Sequence, residues 1–110
     1  MDCLFCRIAA GEIPSRKVYE DDQMLAFHDI APVAPTHILL IPKAHIGGAD
    51  ELTAENADVV AHIFAMIPKI AAEAGISAYR VVTNNGEEAG QTVRHLHFHL
   101  LGGRTLGEMG

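Results

Sequence analysis

The stretch His95-Leu96-His97-Phe98-His99-Leu100-Leu101 places three imidazoles on alternate residues. In an extended segment alternate side chains share a face, so His95, His97 and His99 point one way and Leu96, Phe98 and Leu100 the other. Neighbouring rings in such a row are expected about 6–7 Å apart. Imidazole titrates near neutrality, with an unperturbed pKa of about 6.5, so the row can supply a nucleophile, a proton donor and a hydrogen-bonding cation together. Two other readings stay open for it: a solvated polar face, and a metal site of the kind His-x-His forms in cupin-type barrels. A second constellation is Cys3-x-x-Cys6. By itself it is weak, since two cysteines on a short helix also serve as small buried hydrophobes. The strand-then-helix context of a thioredoxin motif is missing, which argues against a redox role. His28 and His37 fall on predicted strands without a visible partner, and His62 reads as surface.

Around the histidines the chain predicts five strands and two helices. Leu4–Ala10 reads as a short helix with Leu4, Phe5 and Ile8 on one side, closed by Gly11. Arg16–Glu20 and Met24–Ile30 form a hairpin across Glu20-Asp21-Asp22-Gln23. Ala31-Pro32-Val33-Ala34-Pro35 must be a fixed, extended loop, because each proline restrains itself and its predecessor. Thr36–Ile41 is nearly all apolar and so reads as a central strand. Thr53 is placed to cap one long helix carrying Val60, Ile63, Phe64, Ile67, Ile70, Ala71 and Ala74 at helical spacing, with Gly75 as its stop. Pro68, inside that pattern, predicts a kink near Phe64. Ala78–Thr83 and Arg94–Leu101 are the last strands, separated by a polar loop from Asn84 to Gln91. Hairpins and clustered strands indicate an α+β fold, a five-stranded antiparallel sheet with one long and one short helix, as a single domain over residues 1–110.

Composition narrows the function classes. A chain of 110 residues with 49% apolar and 20% charged residues suits one soluble domain. Its net charge of −6, with eight scattered basic residues, argues against nucleic-acid binding. A small phosphate-bearing ligand stays compatible, because backbone N–H groups and imidazoles hold phosphate without a basic patch. Gly-x-Gly-x-x-Gly and P-loop signatures are absent, which excludes nucleotide binding by those modes. The chain opens Met-Asp-Cys-Leu-Phe-Cys without a basic leader or an apolar stretch, and it has no run long enough to span a bilayer. A cytoplasmic location without membrane contact is therefore expected, with reduced cysteines that favour a metal clip over a disulfide.

The histidine stretch matches the His-φ-His-φ-His-φ-φ motif of the histidine triad (HIT) family. Further segments resemble its Hint branch in the same order: Glu12-Ile13-Pro14, Ala26-Phe27-His28-Asp29-Ile30, Ala34-Pro35-Thr36-His37, Ile41-Pro42-Lys43-Ala44-His45-Ile46 and Gly90-Gln91-Thr92-Val93. The likeness runs from Cys3 to Arg104. Past Gly102-Gly103-Arg104 the sequence lacks the aromatic and proline residues that Hint-type chains carry there.

That resemblance implies a nucleotide hydrolase or transferase acting on adenosine 5′-phosphoramidates and related conjugates. By position, His97 would attack the α-phosphorus to form a nucleotidyl-histidine intermediate. His99 would contact the phosphate and assist the leaving group, and His95 would orient the site with His45 as a fourth, more distant histidine. Thr92 and the backbone N–H groups from Gly90 through Gln91 to Thr92 would steady developing charge, and Asn84 would donate near the phosphate. Asp29 would accept from the ribose hydroxyls, or serve only as a turn former. Ile30, Phe27, Leu4, Phe5 and Ile8 would wall the base and sugar of an AMP-type ligand, or belong mainly to the core. No magnesium is required by such a scheme, unlike kinase-type transfer. The resemblance also implies structural zinc on Cys3, Cys6, His45 and His95, and a homodimer sharing a ten-stranded sheet. Two alternatives stay in view: a dinucleoside polyphosphate hydrolase, which the segments around Asp29 and Gly90 disfavour, and a zinc-containing nucleotide-binding regulator.

Overall fold

The structure, a computed structural model, describes residues 3–109. The short helix α1 spans Leu4–Ala9, and β1 (Lys17–Glu20) and β2 (Met24–His28) form the hairpin. They are followed by β3 (Thr36–Pro42), the long helix α2 (Asp58–Glu73), β4 (Tyr79–Val82) and β5 (Phe98–Gly102). All neighbouring strands are antiparallel, in the order β1-β2-β3-β5-β4. This is the expected α+β arrangement.

Alternation along the strands divides the core in two. Met24, Ala26, Ile38, Leu40, Phe98 and Leu100 meet Ile63, Ile67, Ile70 and Ala71 of α2 on one face of the sheet. Leu25, Phe27, Leu39 and Ile41 meet Phe5 and Ile8 of α1 on the other. β3 is therefore apolar on both sides, which is why it reads as an uninterrupted hydrophobic run and sits in the middle. The histidine-bearing positions of β3 and β5 fall on the α1 face.

Several boundaries move from the sequence reading. The last strand begins at Phe98, so His95 and His97 precede the paired ladder instead of lying within it. There Leu96 N–H donates to Ile46 C=O at 2.6 Å, away from the β3 ladder, yet the alternation of faces persists. Thr53 acts one turn earlier than a helix cap. Its hydroxyl accepts from Glu55 N–H and its carbonyl from Asn56 and Ala57 N–H, a turn that leads into α2 at Asp58. α2 continues through Pro68. Both helices end, as expected, before a glycine at positive φ, Gly11 (81°) and Gly75 (80°), where a side chain would be strained.

His62, expected at the surface, instead ties α2 to the β1–β2 turn. Its Nε2 lies 2.6 Å from Asp21 Oδ2, which also accepts from Tyr19 Oη, while Asp21 Oδ1 accepts from the N–H groups of Gln23 and Met24. These donors hold the Asp21 carboxyl far below the usual carboxylate range against the opposing pull of burial. A depressed carboxylate pKa stabilises the fold above the unfolded value of about 4, and that contribution fades as pH falls below it. Replacing Asp21 by Asn should thus lower the urea midpoint at pH 7, and the gap from the parent protein should narrow as pH is taken from 5 to 3. A gap independent of pH would count against this account.

Candidate active site and metal centre

The three triad histidines share one side of their segment but divide between two clusters. His95 is fully buried. Its Nε2–H donates to Pro42 C=O at 2.8 Å, and its Nδ1 lies 3.3 Å from Cys3 Sγ and 3.6 Å from Cys6 Sγ. Because a carbonyl can only accept, Nε2 carries the proton and Nδ1 presents a lone pair. His45 Nδ1 is 3.3 Å from Cys6 Sγ, and the two imidazoles meet edge to face at 5.0 Å. One ligand atom from each of Cys3, Cys6, His45 and His95 lies within 4.8 Å of every other. A tetrahedral zinc with ordinary bond lengths spaces its sulfur and nitrogen ligands roughly 3.5 Å apart, so the observed separations fit a four-ligand metal. The Pro42 carbonyl behind His95 is the kind of outer partner that orients a ligating imidazole.

His97 and His99 form the other cluster, with ring centroids 5.0 Å apart, closer than the 6–7 Å expected from strand geometry alone. His97 Nδ1–H donates to the His95 carbonyl at 2.6 Å, so the lone pair of the neutral ring is on Nε2. Phe5 of α1 packs its ring edge-on to His97 at 5.0 Å and to Phe27 at 5.7 Å. His99 meets a residue that sequence reading left without a partner. His37 Nε2 is 2.9 Å from His99 Nδ1, and Asp29 Oδ2 lies 3.5 Å from the same His37 atom. His37, on β3, is thus the histidine that adjoins His99; His45, which the resemblance gave both as a more distant fourth histidine and as a zinc ligand, sits with the cysteines. Burial and the neighbouring His97 and His37 push His99 down to about 4, while Asp29 pulls the other way. Burial lowers His37 and His95 as well.

The remaining expected contacts gather around two clefts. Ile8, Phe27, Asp29 and Ile30 line one of about 350 Å³, together with Pro14, Ser15, Arg16, His28 and Pro32, none of which the sequence reading assigned to the site. Ile30 is fully exposed there, and the buried Ser15 hydroxyl has no hydrogen-bond partner among the described residues. His97, only 4% exposed, does not line this cleft; Asp29 links it to His37 and His99. Leu4 is half exposed on α1. Gln91 and Thr92 line a second cleft of about 300 Å³ with Asp50, Asn85, Gly86, Glu87 and Arg94. Asn84 packs its amide against Gly90. Within this loop the Gly90 N–H donates to Glu87 C=O and the Gln91 N–H to Gly86 C=O, so both are already used. Thr92 remains exposed.

Three alternating imidazoles on the last strand and its approach, in a five-stranded antiparallel sheet, are the arrangement of a histidine-triad protein. The chain belongs to that family: the HIT domain profile matches residues 10–106. It is 44% identical over 110 residues to a purine nucleoside phosphoramidase of Escherichia coli K12, a match covering 98% of this chain and 92% of that protein. An uncharacterised HIT-like protein of Synechococcus elongatus is 51% identical over 106 residues, covering 96% and 93%. Among solved structures, a histidine triad protein from Clostridium difficile superposes with a TM-score of 0.95 at 50% identity, over 100% of this chain and 97% of that one.

The buried Gln91 amide donates to Gly47 C=O (2.8 Å) and Val93 C=O (3.0 Å) and accepts from Gly86 N–H (2.8 Å) and Arg94 (2.9 Å). Its part is to brace the loop that carries Thr92. Gln91→Ala, which strands those backbone groups, should cost about 2–4 kcal/mol of stability in urea unfolding. A loss under about 0.5 kcal/mol would refute that bracing role.

Proposed function

We propose that the protein hydrolyses adenosine 5′-monophosphoramidate-type substrates, cleaving the P–N bond through a nucleotidyl-His97 intermediate. The observation that carries this reading is the orientation of His97: its Nδ1–H donates to the His95 carbonyl, which puts the lone pair of the neutral ring on Nε2, the atom that would attack. The kinship with a bacterial purine nucleoside phosphoramidase supports the substrate class. As Nε2 bonds to phosphorus, the P–N bond breaks and the departing nitrogen takes up one proton. Water then displaces the histidine, forms the nucleoside monophosphate and releases one proton, so the cycle consumes only water. His99 donates to the phosphoryl oxygens, joined by the Thr92 hydroxyl and the Asn84 amide. Asp29 accepts from the ribose, with Phe27, Ile30, Ile8, Phe5 and Leu4 around the nucleoside. His95 has both ring nitrogens engaged elsewhere and contributes its carbonyl.

Zinc belongs to the same proposal. Cys3, Cys6, His45 and His95 would hold it as a closed, four-ligand structural centre, whose contribution is to fix α1 against the sheet. A homodimer sharing a ten-stranded sheet is likewise proposed; the edge strands β1 and β4 are the two places where the sheet can extend. A cytoplasmic location follows from the paired thiols, which a reducing compartment keeps available as ligands.

Brief mixing with an adenosine phosphoramidate, followed by acid-free peptide mass measurement, should find one nucleotidyl group on His97. His97→Ala should abolish turnover while leaving the fold and metal content intact; turnover that survives this change, with no adduct on the parent protein, would overturn the mechanism. For the metal, substitution with Co²⁺ should give a thiolate-to-cobalt absorption band that Cys6→Ser weakens or removes. Chelation should lower Tm by roughly 5 °C or more. A protein that shows no such band and melts alike with and without chelator has no zinc centre.

A further inference from the structure

We infer that Arg16 is a specificity-determining residue, whose guanidinium reads the base of the bound nucleotide and favours guanine over adenine. That a nucleotide occupies the cleft rests on the phosphoramidase reading; which base it carries does not.

The chain sets eight lysines and arginines against fourteen acidic residues. Seven of the eight cations are engaged. Carboxylates hold Arg7, Lys17, Lys43 and Arg94, the Tyr19 ring lies under Lys69, and backbone carbonyls take Arg80 and Arg104. Only the Arg16 guanidinium has no hydrogen bond, ion pair or ring contact among the described residues. It does not sit at an arbitrary place on the surface: Arg16 lines the same cleft of about 350 Å³ as Asp29. The Arg16 carbonyl accepts from His28 N–H at 3.0 Å, which fixes the backbone beside the end of β2, while the side chain is exposed.

Asp29 marks the end of the cleft nearer the histidines, with Oδ2 3.5 Å from His37, which adjoins His99. A nucleotide with its phosphate at the histidines and its ribose at Asp29 leaves its base to the rest of the cleft. The walls there, Ile8, Phe27 and Ile30, are apolar and cover a base without telling one from another. Selection needs a polar group at the base edge. Ser15 Oγ is buried, and His28 is half-buried. Arg16 is the exposed polar side chain of this lining, with the reach to meet that edge.

The guanidinium carries five N–H donors in a rigid fork and no acceptor. Guanine presents O6 and N7 side by side, two acceptors that match the fork. Adenine presents N7 beside an amino group, which repels a second donor. An arginine that only stacked on the base face, or only paired with a phosphate, would be blind to this difference.

The test is calorimetric titration of the full chain with the 5′-monophosphates of guanosine, inosine and adenosine. Inosine keeps O6 and N7 but lacks the 2-amino group. The guanosine and inosine nucleotides should bind about fivefold or more tighter than the adenosine one. In Arg16→Ala the three Kd values should converge within about twofold, chiefly through weaker guanosine and inosine binding. Arg16→Lys, a point charge without the fork, should restore little of the preference, and His28→Ala should keep it. Equal affinities in the parent protein, a preference that survives Arg16→Ala, or an equal weakening of all three nucleotides would overturn the inference. An Arg16-dependent guanine preference in a protein that turns over no phosphoramidate would instead sink the functional reading and leave this one standing.

Discussion

The pairing of β3 with β5 is the constraint on which the chemistry rests. The register sets Ile38 opposite Leu100, Leu39 opposite His99 and Leu40 opposite Phe98, so His37 is the diagonal neighbour of His99 on the α1 face. A slip of one residue would turn His37 toward the apolar cluster of Ile63, Ile67 and Ile70 of α2, and would bring Leu39 and Ile41 with it. The register that buries the apolar residues correctly is therefore the same one that joins the two imidazoles. Packing and catalysis are specified by one pattern.

A second coupling links the cysteine–histidine cluster to His97. Phe5 lies between Cys3 and Cys6 in sequence and packs against both His95 and His97, at 6.0 and 5.0 Å. His95 contributes its ring to the cysteines and its carbonyl to His97. Whatever fixes α1 against the sheet thus also fixes one packing partner and one hydrogen-bond acceptor of His97. The proposed metal centre would do more than staple a short terminal helix: it would also restrain the orientation of His97.

Much of this was legible from local pattern. The five strands, both helices and their glycine stops follow from period and punctuation, and the common face of His95, His97 and His99 follows from alternation. What local pattern could not supply was register. His37 looked partnerless because its partner is 62 residues away and reached only through the β3–β5 ladder. The available signal was a titratable residue at the head of the apolar run Thr36–Ile41, a place where a polar side chain needs a partner. Likewise Gln91 looked like a ligand contact, yet its four hydrogen bonds brace a loop whose shape depends on Gly47 and Arg94. The start of the last strand was placed too early because alternation survives where pairing stops: Leu96 bonds to Ile46, outside the sheet.

The way the rings are held also separates their roles. His95 is fixed by the Pro42 carbonyl, His97 by the His95 carbonyl and His37 by the Val33 N–H, all backbone groups that do not titrate. Their tautomers are accordingly built into the fold and hold wherever the backbone holds. His99 alone among the triad takes its tautomer from another side chain. It is also the ring whose other nitrogen is buried without a partner among the described residues, so its state depends on what stands on both sides of it. His97 is held by the main chain, and His99 beside it is held by a side chain.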